Sequence, residues 1–416
     1  MNRHVAPSLT REAAAAMDGA DPLAPLRERF ALPPGIYLDG NSLGPLTHAA
    51  RERVRLCVET QWGEGLIASW NKADWVNLPR TVGAKIARIV GAEPDAVRVA
   101  DSTSVNLFKV LAAALALRPD RHRIVSQRGN FPTDLYMAEG LTTLMGKRHE
   151  IVLVDGADEI EAAVTDDTAV VMLTHVDYRS GRMLDMDAVT RAAHEGGALT
   201  VWDLAHSAGA VPVDLAGSRA DFAVGCGYKY LNGGPGAPAF LYVAPEHQAE
   251  ARNPLSGWFA HAAPFAFEPG FRPADGADRF LAGTPPVLSM VALDAALDVW
   301  SGVEVDAVRE KSVRLTDLFI RLVEDLCPAM TLASPREAGL RGSQASFRHE
   351  NAFAIVQCLI ERGVTGDFRT PDVARFGFAP LYTRFVDVWD AGSRMGEIVG
   401  TRAWDEPRFH TRGAVT

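Results

Sequence analysis

The residue of this 416-residue chain best placed for covalent chemistry is Lys229. It follows the run Asp221-Phe222-Ala223-Val224-Gly225-Cys226, stands in Gly227-Tyr228-Lys229-Tyr230-Leu231-Asn232, and precedes Gly233-Gly234-Pro235-Gly236. Lysine is rarely buried without a task. A desolvated ε-amine has a lowered pKa and attacks aldehydes, while the glycines let backbone approach a flat ring. The plain alternative is an exposed lysine at a strand end. The glycine run lacks the spacing of a phosphate-binding P-loop.

Three further groups extend the pattern. Leu199-Thr200-Val201-Trp202-Asp203 reads as a buried strand ending in an acid, and open α/β sheets gather ligand groups at the carboxyl ends of their strands. Paired with a pyridine nitrogen, Asp203 would keep that nitrogen protonated and let the ring accept electrons; otherwise it caps the next helix. His206, three residues on, is either a second partner of the ring or a helix-start residue. Ser102-Thr103-Ser104 precedes a strongly helical stretch, where hydroxyls and free backbone N–H groups hold a phosphate or simply cap the helix. Asn130-Phe131-Pro132-Thr133-Asp134 follows a strand and would set Phe131 at the ligand edge to stack on a ring, unless it is an ordinary core residue. The eleven histidines form neither HExxH nor a short-spaced Cys/His set, so no metal site is expected.

These residues need a scaffold. Short apolar runs at 124–126, 151–154, 169–174, 199–203 and 239–243 alternate with helical patterns such as 186–194, which predicts an α/β fold with a mostly parallel sheet covered on both faces. Residues 1–60 read as an N-terminal arm containing the turn-rich stretch 37–45. Residues 61–286 read as a large α/β domain. Residues 287–416 read as a smaller α+β domain, opening on one long amphipathic helix from Val287 through Leu326 and including a helix over 353–362.

A net charge of −10 argues against a nucleic-acid partner, and 47% hydrophobic with 23% charged residues is ordinary for a folded globular chain. No stretch approaches the ~20 apolar residues of a membrane span, and the N-terminus carries Arg11, Glu12, Asp18 and Asp21 around a run of four alanines, too short for a signal peptide. Cys57, Cys226, Cys327 and Cys358 are scattered, which suits a reducing compartment without disulfides. A cytoplasmic enzyme acting on a small molecule is expected.

In this order, the motifs resemble those of the kynureninases, pyridoxal-phosphate (PLP) enzymes of the aspartate-aminotransferase fold, fold type I. The resemblance covers nearly the whole chain: Leu38-Asp39-Gly40-Asn41-Ser42-Leu43-Gly44, Asp101-Ser102-Thr103-Ser104-Val105-Asn106-Leu107, Phe131-Pro132-Thr133-Asp134, Asp203-Leu204-Ala205-His206, Tyr228-Lys229-Tyr230-Leu231-Asn232, Gly257-Trp258-Phe259 and Arg375-Phe376-Gly377-Phe378-Ala379-Pro380-Leu381-Tyr382. It implies Lys229 as the Schiff-base lysine and proton shuttle, Asp203 at the pyridine nitrogen, and Phe131 stacked on the ring. Thr103, Ser104 and Tyr228 would hold the phosphate. Pro132, Thr133, Asp134, Thr174 and His206 would line the cofactor pocket.

Trp258 and Thr284 fall in segments that reach the neighbouring subunit's cofactor in this family, so a homodimer with shared active sites is implied. Animal members have Asn where this chain has Thr284. Arg375 would bind the substrate α-carboxylate, a task suited to a guanidinium fork, with Asn41, Ser42 and Trp70 at the substrate; bacterial members share the Trp. The implied reaction is hydrolysis of L-kynurenine, or 3-hydroxy-L-kynurenine, to anthranilate or its hydroxy form and L-alanine, in tryptophan degradation or NAD precursor supply. Tyr228 is the candidate acid/base for the alanine-side carbon. The alternatives on the same fold are cysteine desulfuration and transamination; a desulfurase needs a nucleophilic cysteine on an exposed loop, and none of the four cysteines has that setting.

Overall fold

The computed structural model describes residues 10–412; residues 1–9 and 413–416, at the outer ends of the expected arm and C-terminal domain, lie outside the described residues. The chain groups into two compact units, one of residues 49–177 and 183–298, the other of residues 10–48, 178–182 and 299–412.

The first unit is built on a seven-stranded sheet. Its order is Val97–Ala100, Ala239–Val243, Phe222–Gly225, Leu199–Asp203, Thr168–Thr174, Arg123–Gln127 and Glu150–Val154. The last five pair in parallel, whereas Ala239–Val243 runs antiparallel to both its neighbours. A parallel crossover needs a dozen or more residues, usually with a helix. The segment after Gly225 spends its length on turns around Gly234 and Gly236, both at positive φ, and returns directly. The sheet is thus mostly parallel, with one reversed strand. Every residue of the four strands from Thr168–Thr174 to Ala239–Val243 in chain order is buried, so both faces are covered. The helix Thr103–Ala116 contributes Leu107, Val110, Leu111 and Ala114, at helical spacing, to a core with Val170, Phe222, Val224 and Leu241.

Strand direction positions the chemistry. Six strands run the same way, so Ala100, Gln127, Thr174, Asp203 and Gly225 end at one edge, and the segments carrying Ser102, Phe131, His206 and Lys229 all start there. The other edge is fastened by Asp221. This buried carboxylate accepts from Thr200 N (2.8 Å), Thr200 Oγ1 (3.0 Å), His194 Nε2 (2.8 Å) and His247 Nε2 (2.7 Å), tying the helix Met186–Glu195 and the turn at Pro245–His247 to two strands.

The second unit contains a four-stranded antiparallel sheet in the order Asp367–Arg369, Val373–Gly377, Gln344–Arg348, Thr331–Leu332. Helices Arg11–Gly19, Val305–Leu326, Ala352–Glu361 and Phe385–Thr401 surround a core in which Phe319 meets Phe347, Phe376 and Phe378. The single long helix expected from Val287 to Leu326 is instead two, Val287–Leu297 and Val305–Leu326. A 3₁₀ turn at Asp298–Trp300 and Gly302 at φ +75° separate them, a conformation that an α-helix excludes.

Candidate active site

At the common strand edge the structure brings Lys229, His206, Asp203, Asp134 and Thr174 together. Lys229 Nζ lies 2.9 Å from His206 Nε2 and 5.8 Å from the centroid of the Tyr228 ring. Asp203 is buried, and its Oδ1 accepts from Ala205 N at 2.7 Å; the chain turns over its own acid, and His206 lies in that turn, not in a helix. Burial raises the carboxyl pKa of Asp203, opposed by the charge of Lys229 and the Ala205 amide. Asp134 is driven well above the ordinary carboxyl range, first by burial and then by the charge of Asp203. The hydrogen bond between the two raises Asp134 further and lowers Asp203, so Asp134 is the member of the pair that holds a proton more readily.

Asp134 occupies the first turn of the helix Pro132–Leu144, with Phe131 at its N-cap and Pro132 and Thr133 opening it, Pro at a position where no N–H is missed. Phe131 is 40% exposed, unlike a core Phe. Asn130 Oδ1 accepts from Phe131 N (2.7 Å) and Thr174 Oγ1 (2.6 Å), and Asn130 Nδ2 donates to Ser126 Oγ (3.2 Å). That network fixes where Phe131 leaves the strand. Asn130 was not singled out in the sequence; its place after a strand and before Phe-Pro was the available signal.

Ser102 is the N-cap of Thr103–Ala116, accepting from Val105 N at 3.4 Å. The capping alternative thus holds for Ser102, leaving Thr103 and Ser104 half-buried in a first turn whose N–H groups are free of helical partners. Beneath them Lys109, fully buried beside Asn106 on the same helix face, pairs with Asp101 and donates to Phe280 O at 2.8 Å and to Asn106 Oδ1 at 3.4 Å. Asp101 has φ +46°, so this ion pair holds the backbone turn leading into the helix. Tyr228 is half-buried, and burial raises its phenol pKa.

Trp70 and Trp258 join one apolar cluster with Ala100, Phe259 and Leu281; the Phe259 ring lies 6.3 Å from Trp70 and 5.0 Å from Trp258. Thr284 is exposed on a neighbouring loop. The two loops are joined by Phe259 N donating to Ala282 O (3.1 Å), and Gly257 leaves no room for a Cβ against the Ala282 carbonyl.

The second unit assembles Arg375, Ser42 and Asn41. Arg375 is fully buried, with Asp367 on one side, Ser42 Oγ at 2.8 Å and Tyr178 O at 2.6 Å. The amide of Asn41, turned to satisfy both ends, accepts from Arg375 Nε at 3.1 Å and donates to Asp39 at 3.3 Å. Asp367, Asp39, Tyr178 and Arg369 in this group were not expected as site residues, because long-range pairing brings them in.

The donor set fits a phosphorylated pyridine aldehyde: an amine for the aldehyde, a buried carboxylate for the ring N–H, hydroxyls at a helix start for the phosphate. A cationic ring nitrogen would stabilise the Asp203 anion that burial disfavours. All four cysteines are unpaired and buried, and among the described residues no cluster of three or more His, Cys, Asp or Glu is arranged to hold a metal ion. No helix among them is long and apolar enough to cross a membrane.

Comparison with solved structures places the fold. C-DES, solved with glycine covalently linked to its PLP cofactor, superposes with a TM-score of 0.77 at 19% identity, over 89% of this chain and 99% of that one. The cysteine desulfurase CsdA from Escherichia coli gives 0.76 at 20% identity, over 91% and 98%. The DegT/DnrJ/EryC1/StrS aminotransferase family matches residues 85–225. Fold and site define a PLP-dependent enzyme of fold type I.

Residues 308–395 match the kynureninase C-terminal domain. A kynureninase from Burkholderia mallei is 53% identical over 98% of this chain and the whole of that protein, and one from Pseudomonas fluorescens is 50% identical over the same shares. The chain belongs to the kynureninase family.

Proposed function

We propose that the protein hydrolyses L-kynurenine, with 3-hydroxy-L-kynurenine as a second substrate, to anthranilate or 3-hydroxyanthranilate and L-alanine. It is a hydrolase of carbon–carbon bonds that uses pyridoxal 5′-phosphate. The observation that carries this is the Lys229–His206–Asp203–Asp134 constellation in a chain 53% identical along its length to a kynureninase.

Bound PLP supplies an electron sink for bonds at the carbon that bears the amino group. Lys229 would hold it covalently, and its freed amine would move the proton at Cα of the substrate. Asp203 would keep the ring nitrogen protonated, with Asp134 hydrogen-bonded beside it. Phe131 would cover one ring face, with Pro132, Thr133, Thr174 and His206 lining the pocket, and Thr103, Ser104 and Tyr228 would hold the phosphate. Hydrolysis breaks Cβ–Cγ: the hydroxyl of water stays on the acyl carbon, giving anthranilate, and Cβ receives a proton, giving L-alanine. Tyr228 is the candidate acid for that carbon; a phenol whose pKa burial raises is protonated at neutral pH. Arg375 receives the α-carboxylate, with Asn41, Ser42 and Trp70 shaping the substrate site.

The protein acts as a homodimer in which Trp258 and Thr284 complete the partner's cofactor site. The exposed apolar side chains of Trp62, Leu66, Ile67, Phe265 and Phe267 support a covered surface, Ile67 being 80% and Phe267 78% exposed. The four unpaired cysteines support a cytoplasmic location. Nucleic acid and membrane have no part in this reading, and tryptophan degradation and NAD precursor supply both accommodate it. Residues 61–286 form the PLP-binding domain in this reading, with 1–60 and 287–416 contributing the smaller one; the two compact units support a division into a large and a small part, but assign 49–60 and 287–298 to the large one and 178–182 to the small one.

The decisive assay follows anthranilate release from L-kynurenine alongside alanine and persulfide from L-cysteine. Faster turnover of cysteine would overturn the assignment. Lys229→Ala is expected to lose the visible absorption of the lysine-bound cofactor and to lower turnover on the order of 10²–10⁴-fold.

A further inference from the structure

The guanidinium of Arg375 has little left for a ligand. Its side chain is 1% exposed and four of its five N–H groups are engaged: Nε with Asp367 Oδ1 (2.8 Å), Nη2 with Asp367 Oδ2 and with Ser42 Oγ (2.8 Å), and Nη1 with Tyr178 O (2.6 Å). One Nη1 N–H remains. A fork grip on a carboxylate takes two parallel N–H groups, so Arg375 in this setting provides half of one.

Arg369 has what is missing. The antiparallel register sets Asp367 directly opposite Arg375, and Arg369, two residues along the same strand, projects to the same face as Asp367. Its Nη2 lies 2.7 Å from Asp367 Oδ2 and donates to Ser42 Oγ at 3.4 Å. The three N–H groups on Nε and Nη1 have no acceptor among the described residues, and the side chain is 35% exposed. Asp367, only 3% exposed, therefore bridges both guanidinium groups. The charges point the same way. The second carboxylate of the cluster, Asp39, is pushed up to about 7, first by burial and then by Asp367. Asp39 therefore balances the two guanidinium groups only in part near neutral pH.

We propose that Arg369 is a second carboxylate-recognition residue, gripping the α-carboxylate of the amino-acid substrate together with the open N–H of Arg375, while Asp367 is the positioning residue that presents both. This rests on the reading of Arg375 as the carboxylate receptor. A residue that only neutralised Asp367 would affect folding without distinguishing one ligand from another.

The test uses the PLP-loaded enzyme, L-kynurenine as substrate and its α-carboxamide as competitive inhibitor. Arg369→Met is expected to raise KM for kynurenine about ten- to a hundredfold, with kcat held within about threefold and the Ki of the carboxamide unchanged. Arg369→Lys should recover part of the loss by restoring charge without the fork, and it gives the same comparison if the Met variant folds poorly. An acid-to-amide preference in Arg369→Met equal to that of the unsubstituted enzyme overturns the inference. Arg375→Met is the control: if it too leaves that preference unchanged, the underlying assignment of Arg375 fails, and the inference falls with it.

Discussion

At the scale of single residues, burial divides labour among identical side chains. Asp203 and Asp134 share a pocket, and their mutual hydrogen bond raises the pKa of Asp134 while lowering that of Asp203. Asp39 is a third case, with Ser42 and Arg375 opposing burial and Asp367 without reversing them. Its folded pKa of about 7 exceeds the unfolded value near 3.9. The stabilisation from its protonated form is complete below the unfolded value and is lost as pH rises through the folded one. Asp39→Asn should therefore flatten the fall in stability between pH ~4 and pH ~7, as measured by urea unfolding across that range. A variant with an unchanged slope would place the proton elsewhere.

At the scale of elements, Asp221 does for one sheet edge what Asp203 does for the other, but structurally. Burial would raise its carboxyl pKa, yet the hydrogen bonds from His194, His247 and the Thr200 amide overcome this and hold it below the usual range. A depressed acid lends stability that is present above the unfolded value of about 4 and lost as pH falls below it. Asp221→Asn should lower unfolding free energy by about 3–5 kcal/mol at pH 7, with the difference from the parent shrinking in acid. Calorimetry at pH 7 and at pH ~2 reads both effects; equal losses at the two values would contradict the account. The same scale explains the divided helix: the amphipathic spacing is genuine on both sides of Gly302, and one left-handed residue interrupts it.

At the scale of the whole molecule, the proposed shared-site dimer makes a quantitative prediction. In an equal mixture of Lys229→Ala and Trp258→Ala chains allowed to exchange subunits, each mixed dimer has one site with both defects and one with neither. Random pairing then restores roughly a quarter of the parent activity from two crippled proteins. Sedimentation confirms exchange, and no recovery in mixed dimers would show that each site is complete within one chain.

The order Ser102-Thr103-Ser104, Phe131, Asp203, Lys229 and the alternation of buried strands with helices were legible in the chain, because residue type, period and turn chemistry are local properties. The motif resemblance extended that reading to kynureninase chemistry, and the 53% identity placed the chain in the family. What the residues alone left open was partnership. Whether Asp203 capped a helix, whether Ser102 was free, and which acid holds a proton more readily depend on neighbours far apart in sequence: Asp134 beside Asp203, Lys109 under Phe280, Asp367 across from Arg375. Lone acids and bases look alike in a sequence because their protonation and free valences are set by burial and by what else donates to them. Lys229 was visible as a reactive lysine from its run; that it sits 2.9 Å from His206, and that Arg375 has spent most of its fork on Asp367, Ser42 and Tyr178, was decided by the tertiary structure.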